Sequence, residues 1–326
     1  MLIFAPEAEV PLRQELGSYL SQLASHSHGS SHQFAALAIG QRGRDLVIGR
    51  GVNIKFAALD AIICAEMVAM ASLILQGAVL QRMFLFGPGE SCGTCLQLMT
   101  EHPQLREKSV GEFAPAVQID YFDGNSQWAK AENLEQLLPR PFLNSRRAAF
   151  RLAQNSPNLR QLLKAEQVLG LVHQPIAAMP VVGDIKKAVA LLAAQAERSA
   201  LGDRAILTGL VTQAGELYSG VRLHPGGPYA ASSVLTALAT LITARGADTP
   251  LARVILLGGD GGDTAAAAAA DTSKQPAEIN TARHLLRAYQ LRLGQDPHQL
   301  PVGLYDQNGH HLADHLLGDL PLLVDQ

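Results

Sequence analysis

The chain has 326 residues, of which 48% are hydrophobic, and a net charge of −3. This supports one large packed domain or two of ordinary size. It argues against a surface built to bind nucleic acid, which normally carries a basic excess. No secretion signal is recognisable, no uncharged apolar run reaches about 18 residues, and three cysteines do not indicate a disulfide framework. We therefore expect a soluble, cytoplasmic protein without a membrane partner.

Hydrophobic periodicity predicts alternating helices and strands in the first half of the chain. A helix comes first, then two strands joined by a turn, a buried helix, a buried strand, a second helix and a further strand. The predicted ranges, in that order, are helix 10–24, strands 34–40 and 44–54, helix 63–76, strand 82–87, a helix from 92 and strand 116–123. A mixed α/β fold is indicated.

The second half repeats this order after a mostly helical segment, 140–200. The predicted ranges are strands 204–211 and 216–223, helix 230–242, strand 252–259, helix 281–291 and strand 301–309. Short echoes such as GRGVNI with YSGVRL, and FLFGPG with ILLGGD, support a duplication. An alanine-rich insertion, 261–278, is expected to be a surface excursion.

All three cysteines lie close together in the sequence. Cys92 and Cys95 have C-x-x-C spacing at a predicted helix start, so one helical turn places both sulfurs on one side. Cys64 begins another predicted helix, and the order of elements can bring the two helix N-termini together. Three thiolates, favoured at such termini, would bind one zinc ion and leave a fourth position open, as in catalytic zinc sites.

Glu66 is a carboxylate inside an apolar run, two residues after Cys64. It is too close to Cys64 to be a comfortable fourth ligand, yet close enough to exchange a proton with water that the metal activates. Two alternatives exist for the cysteines, namely a redox pair or small buried hydrophobic residues. The upstream Cys-x-Glu favours the zinc site.

The motifs C-A-E (64–66) and S-C-G-T-C (91–95) resemble the zinc deaminase signature H-x-E followed by P-C-x-x-C, in which Cys can replace His. The sequence is thereby similar to the cytidine deaminase family over roughly residues 30–140. The resemblance implies two three-layer α/β/α domains, each with a mixed sheet of about five strands, and a zinc-free second copy. The predicted division is an N-terminal helical segment (1–30), a catalytic domain (31–140), a helical connector (141–180) and a degenerate domain (181–326).

The resemblance also implies an activity and residue roles. The activity is zinc-dependent deamination of a cytidine-like nucleoside, which includes modified or phosphorylated forms, by a homodimer. Cys64, Cys92 and Cys95 would be the zinc ligands, and Glu66 the proton carrier. Substrate contacts would come from the side chain of Asn53, from the main-chain amides of Ala65 and Cys92, and from an aromatic ring at Phe34 or His32. Phe34 is alternatively a strand core residue.

Three positions depart from the family pattern. Lys55 stands where relatives have Glu, so it can only donate hydrogen bonds; it would suit an acidic group on the substrate, or it is a solvated lysine. Ser91 replaces the usual Pro. Met67 stands where three-thiolate members commonly have Arg, so Arg82, Lys55 or helix dipoles must offset the added negative charge.

The second copy is expected to be inert. Aligning CAEMVAMASLIL with AASSVLTALATLI puts Ala230 at the place of Cys64 and Ser232 at that of Glu66. His284, near the place of Cys95, cannot hold zinc alone. The copy would be structural, with its loop 222–230 shielding an active site.

Two other hypotheses exist for the function of the chain. One is a catalytically inactive, zinc-stabilised binding or regulatory protein. The other is a nucleic acid editing deaminase, which the acidic charge balance disfavours.

Overall fold

The computed structural model describes residues 3–4, 6–56, 61–106, 117–138, 162–163, 165–174, 176, 179–181, 184–199, 206–223, 231–258, 277–306 and 308–320. The predictions for residues 141–161, the loop 224–230 and most of the insertion lie outside these residues. The described residues group into two compact units. The first takes in those up to 54 and from 64 to 176, and the second those of 55–63, 177–223 and 231 onwards.

Helices and strands alternate along the first part of the chain. The elements are β1 (Ile3–Phe4), α1 (Pro6–Ala24), β2 (Ala35–Arg42), β3 (Asp45–Val52), β4 (Ile54–Phe56), β5 (Ala61–Ile63), α2 (Ala65–Leu75), β6 (Val79–Phe86), α3 (Gly93–Arg106), β7 (Gln118–Phe122), β8 (Trp128–Asn133), α4 (Leu134–Leu137), β9 (Leu162–Leu163) and α5 (Ala165–Val172). Strands β4 and β5 form a two-stranded pair, as do β1 and β9.

The first unit contains a mixed sheet with the strand order β3-β2-β6-β7-β8. Strand β2 is antiparallel to both β3 and β6, and β8 is antiparallel to β7. Strands β6 and β7 are parallel, with Phe86 opposite Phe122. A parallel pair needs a crossover connection, and α3 lies in it. The helix α3 therefore begins at the edge where β6 and β7 end.

Helix α2 is buried along nearly its whole length, because it is apolar on all sides and packs on the sheet. Two glycines let β3 approach it. A Cβ added at Gly51 would lie 2.2 Å from the Ala65 carbonyl oxygen, and one at Gly49 would lie 2.0 Å from that of Ala69. Only glycine fits there. Close packing on β3 thus fixes the N-terminal end of α2, which follows Cys64.

The remaining elements repeat this pattern. They are β10 (Met179–Pro180), α6 (Ile185–Arg198), β11 (Leu207–Thr212), β12 (Glu216–Val221), α7 (Ser233–Arg245), β13 (Leu251–Leu257), α8 (Ala277–Arg292), β14 (Pro301–Tyr305) and β15 (His311–Leu316), with 3₁₀ turns at Pro297–Gln299 and Leu317–Asp319. The strand order of the second sheet is β10-β12-β11-β13-β14-β15. Strands β13 and β14 form its parallel pair.

The two sheets therefore share strand order and direction, apart from the added edge strand β10. Gly220 has the same role in β12 as Gly51 in β3, since an added Cβ would lie 2.1 Å from the Ala237 nitrogen of α7. Two mixed sheets flanked by helices confirm the predicted fold class. Among the described residues, no helix is both long and apolar enough to cross a membrane.

Some predicted elements have different bounds. The strand predicted at 44–54 divides at Asn53 into β3 and β4. The helix predicted from 230 begins at Ser233, because the Ser232 hydroxyl caps it by accepting from the Leu235 N–H at 3.1 Å. The edge strands β8 and β15 have no predicted counterpart, since polar, exposed strands lack the hydrophobic pattern on which the prediction relies.

Candidate metal centre and active site

The three cysteines form a cluster in the first unit. The Sγ atoms of Cys64, Cys92 and Cys95 all lie within 4.8 Å of one another. Those of Cys64 and Cys92 are 4.0 Å apart. Cys95 is buried, Cys64 is partly buried and Cys92 is exposed. The cluster is therefore anchored in the core on one side and reachable from solvent on the other.

Two helix N-termini meet at this cluster. Cys64 is the N-cap residue of α2, with φ −77° and ψ 151°, and its side chain makes no capping hydrogen bond. The Cys92 carbonyl accepts the Leu96 N–H at 3.0 Å, which places Cys92 at the start of α3. Cys95 lies in the first turn of the same helix. The positive ends of both helix dipoles thus favour thiolates here.

The thiols influence one another's protonation. Hydrogen bonds from Cys64 and Cys95 lower the pKa of the Cys92 thiol, and the main-chain N–H groups of Cys95 and Thr94 lower it further. The Cys64 thiol donates the hydrogen bond to Cys92, and this raises the pKa of Cys64. The hydrogen bond with Cys64, followed by that with Cys92, raises the pKa of Cys95 well above its usual value. One thiolate is thus stabilised by two thiols whose protons a divalent cation would displace.

The donor set fits zinc. Tetrahedral zinc with Zn–S bonds of about 2.3 Å has sulfurs about 3.8 Å apart, and the separation of 4.0 Å between Cys64 and Cys92 is close to that value. Three thiolates are typical zinc ligands, and three protein ligands leave a fourth position for water or substrate.

Glu66 lies beside the cluster, in the first turn of α2, with only 5% of its surface exposed. The Ser91 hydroxyl donates a hydrogen bond to its Oε1 at 2.6 Å. Burial raises the pKa of the Glu66 carboxyl, and the Ser91 hydrogen bond opposes this in part. The sequence identified Ser91 only as a substitute for Pro. The feature of the sequence that could have indicated this hydrogen bond is a hydroxyl side chain directly before the first Cys of C-x-x-C.

Asn53 organises the loop in front of β2. Its Oδ1 accepts the Phe34 N–H at 2.8 Å and the Ser27 hydroxyl at 2.7 Å, and its Nδ2 donates to the His32 carbonyl at 2.8 Å. The Phe34 ring packs against the loop after β6, since a Cβ on Gly87 would lie 2.2 Å from it. Asn53 therefore holds the main chain of Phe34, and the Phe34 ring packs at the start of the segment that leads to Ser91 and Cys92.

The remaining predicted residues lie in different places. Ala65 is fully buried at the start of α2. Lys55 is partly buried in β4 and groups with the second unit.

Arg82 is one of the candidates for offsetting the negative charge of the thiolates. Its guanidinium binds the buried Asp120 through Nε at 2.7 Å and Nη2 at 3.0 Å. Because Asp120 matches its charge, Lys55 and the two helix N-termini are the remaining candidates.

The second unit has an altered counterpart of the helix that carries Cys64 and Glu66. Its N-cap is Ser232, with φ −64° and ψ 154°, so Ser232 corresponds to Cys64, and Val234 to Glu66. The alignment from sequence, with Ala230 and Ser232 at these places, is wrong by two residues because it ignored the cap. Either alignment lacks both the thiol and the carboxylate. His284 is exposed on α8.

Residues 13–108 match the family model described as the cytidine and deoxycytidylate deaminase zinc-binding region. No curated protein gives a significant match to the sequence. Similar solved structures include the cytidine deaminase from Burkholderia pseudomallei, at 19% identity and a TM-score of 0.32, over 39% of this chain and 97% of that one. Those from Mycobacterium leprae and Mycobacterium tuberculosis have 20% identity and a TM-score of 0.28, over 38% and 39% of this chain and 94% of theirs.

Proposed function

We propose that this chain, whose residues 13–108 match the family model of the cytidine and deoxycytidylate deaminase zinc-binding region, deaminates a cytidine-like nucleoside or nucleotide and releases ammonia. Enzymes of this class are hydrolases that act on carbon–nitrogen bonds with zinc as cofactor. One observation carries the proposal. A three-sulfur cluster, with its sulfurs within 4.8 Å of one another, adjoins the buried carboxylate of Glu66.

Cys64, Cys92 and Cys95 are the proposed zinc ligands. Zinc held there supplies a Lewis acid that makes water nucleophilic near neutral pH. The surrounding structure holds two of these cysteines in place, because Cys64 precedes a helix packed closely on β3 and Cys95 is buried. The exposed Cys92 marks the side from which substrate would enter.

Glu66 is the proposed proton carrier. It would accept a proton from the attacking water and pass it to N3 of the pyrimidine, as the water oxygen bonds to C4 and the C4–N3 double bond becomes single. Glu66 would then take the proton of the new C4 hydroxyl and deliver it to the amine. The C4–N bond breaks, the C4 carbonyl forms, and the amine leaves as ammonia. A buried carboxyl with a raised pKa suits both steps, since it holds a proton more readily than an ordinary glutamate does.

The proposed substrate contacts are those that the sequence predicts. Within the described ranges, the Asn53 oxygen accepts two hydrogen bonds and its nitrogen donates one, so its second amide hydrogen would donate to a substrate hydroxyl. The Phe34 ring would stack on the base, and the main-chain amides of Ala65 and Cys92 would bind its carbonyl edge. Lys55 would contact an acidic substituent. The homodimer, the cytoplasmic location, the four-part division of the chain and the inert second copy stay predictions from the sequence.

The direct experiment measures zinc by elemental analysis and ammonia release from cytidine, deoxycytidine, their phosphates and aminopyrimidine analogues. Stoichiometric zinc with turnover on at least one pyrimidine supports the proposal. Zinc without turnover on any of them would favour the hypothesis of an inactive binding or regulatory protein. For Lys55, the Lys55→Glu variant should lose preference for cytidine monophosphate over cytidine. An unchanged preference would leave Lys55 as a solvated lysine.

A further inference from the structure

Ser91 occupies the position that is Pro in the deaminase signature. Pro has no side-chain donor, whereas the Ser91 hydroxyl donates to Glu66 Oε1 at 2.6 Å. This short O–H···O⁻ geometry is that of a charge-assisted hydrogen bond. Ser91 therefore supplies the Glu66 carboxylate with a contact that the usual residue cannot make.

The burial of Glu66 gives this contact its importance. Only 5% of the Glu66 surface is exposed, and the residue lies in the first turn of α2, so water has little access to its carboxylate. A buried carboxylate needs hydrogen-bond donors from the protein. In the described part of the chain, the Ser91 hydroxyl is such a donor, at 2.6 Å from Oε1.

The residues on either side of Ser91 limit its movement. The preceding residue, Glu90, forms an ion pair with Lys130 of β8, and Lys130 also pairs with Glu132 at 3.0 Å. The following residue, Cys92, begins α3, since its carbonyl accepts the Leu96 N–H at 3.0 Å. Ser91 thus lies between an ion pair and a helix start.

We propose that Ser91 is a positioning residue, whose hydroxyl holds Glu66 Oε1 and leaves Oε2 to exchange protons with the reacting groups. This inference rests on the proposed function of Glu66. A fixed carboxylate lowers the reorganisation needed for proton transfer, which affects the chemical step more than substrate binding. The loss of Ser91 should therefore lower kcat and leave KM nearly unchanged.

The test compares Ser91→Ala, Ser91→Thr and the control Thr100→Ala with the wild type. Thr100 also carries a hydroxyl, which donates within α3 to the Leu96 carbonyl at 2.9 Å. Loss of a charge-assisted hydrogen bond predicts a fall in kcat of about 10- to 100-fold for Ser91→Ala. Ser91→Thr should recover most of kcat, Thr100→Ala should keep it, and all three should bind stoichiometric zinc.

A crystal structure of zinc-loaded Ser91→Ala gives a readout that does not depend on turnover. We expect the Glu66 carboxylate to leave its wild-type position or to adopt two orientations. An unmoved carboxylate, an unchanged kcat or loss of zinc in Ser91→Ala would each overturn the inference. If the wild type deaminates nothing, the proposed function fails, and the carboxylate positions alone still decide whether Ser91 fixes Glu66.

Discussion

Removing Asp120 should destabilise the first unit strongly, because it takes away the buried carboxylate that binds the buried guanidinium of Arg82. Asp120 is fully buried, and Arg82, 2% exposed, binds it with two nitrogens at 2.7 and 3.0 Å. Breaking a buried pair of this kind costs about 3–5 kcal/mol of unfolding free energy. Glu9, 3.7 Å from Arg82 and 30% exposed, offsets part of that, so the lower half of the range is expected for Asp120→Ala.

Trp128 provides the assay. It is the only tryptophan in the chain, and its indole N–H donates to Asp120 at 3.1 Å. Its fluorescence during denaturant unfolding therefore reports on the first unit. The control Asp45→Ala removes an aspartate that is 72% exposed and 3.7 Å from Arg42, which should cost less than about 0.5 kcal/mol.

A double variant separates the buried charge from simple loss of packing. Arg82→Met with Asp120→Leu replaces the pair by apolar side chains, which is often neutral or stabilising. It should therefore be more stable than Asp120→Ala alone and keep stoichiometric zinc. A cost below about 1 kcal/mol for Asp120→Ala would refute the reasoning on the buried pair. Loss of zinc in the double variant would restore Arg82 as a residue that serves the metal site.

Three further predictions use the same fluorescence assay or zinc analysis. Gly51→Ala forces a Cβ to within 2.2 Å of the Ala65 carbonyl oxygen and should lower the free energy of unfolding by about 1–3 kcal/mol. The control Gly124→Ala, whose added Cβ meets nothing within 4 Å, should be nearly neutral. Equal stabilities of the two variants would contradict the close packing of β3 on α2. Arg50→Met removes the donor to three main-chain carbonyls at the C-terminal end of α5 and just beyond it, at 2.7 to 3.1 Å. It should lower the free energy of unfolding by about 2–3 kcal/mol. The control is Arg42→Met at an exposed arginine, and an equally small effect of both variants would argue against this role of Arg50. Cys95→Ala should lose zinc, and stoichiometric metal in that variant would disprove the ligand assignment.

The sequence predicted the metal site better than it predicted the groups around it. Cysteine spacing and position at helix starts are local properties, so the cluster of Cys64, Cys92 and Cys95 could be expected before any fold was known. The Ser91–Glu66 hydrogen bond joins residues from separate elements. It depends on how a loop and a helix terminus meet in space, which periodicity does not encode.

The charge balance of the site shows the same limit. Arg82 is close to the metal motifs in sequence and could be expected to serve them. In the fold Arg82 binds Asp120 of the adjacent strand, which lies two residues beyond Gln118, the residue opposite Arg82 in the parallel register of β6 and β7. The error of two residues in aligning the second copy has a related cause, since Ser232 is recognisable as a cap only once the helix start is known.

Glu66→Gln tests the central claim most directly, because it removes the proton carrier and keeps the size of the side chain. Zinc content and ammonia release should be measured together for this variant and the wild type, on the substrate that the wild type uses best. We expect stoichiometric zinc and a fall in kcat of at least about 100-fold, the usual scale of general acid–base catalysis. Full turnover by zinc-loaded Glu66→Gln would contradict the account.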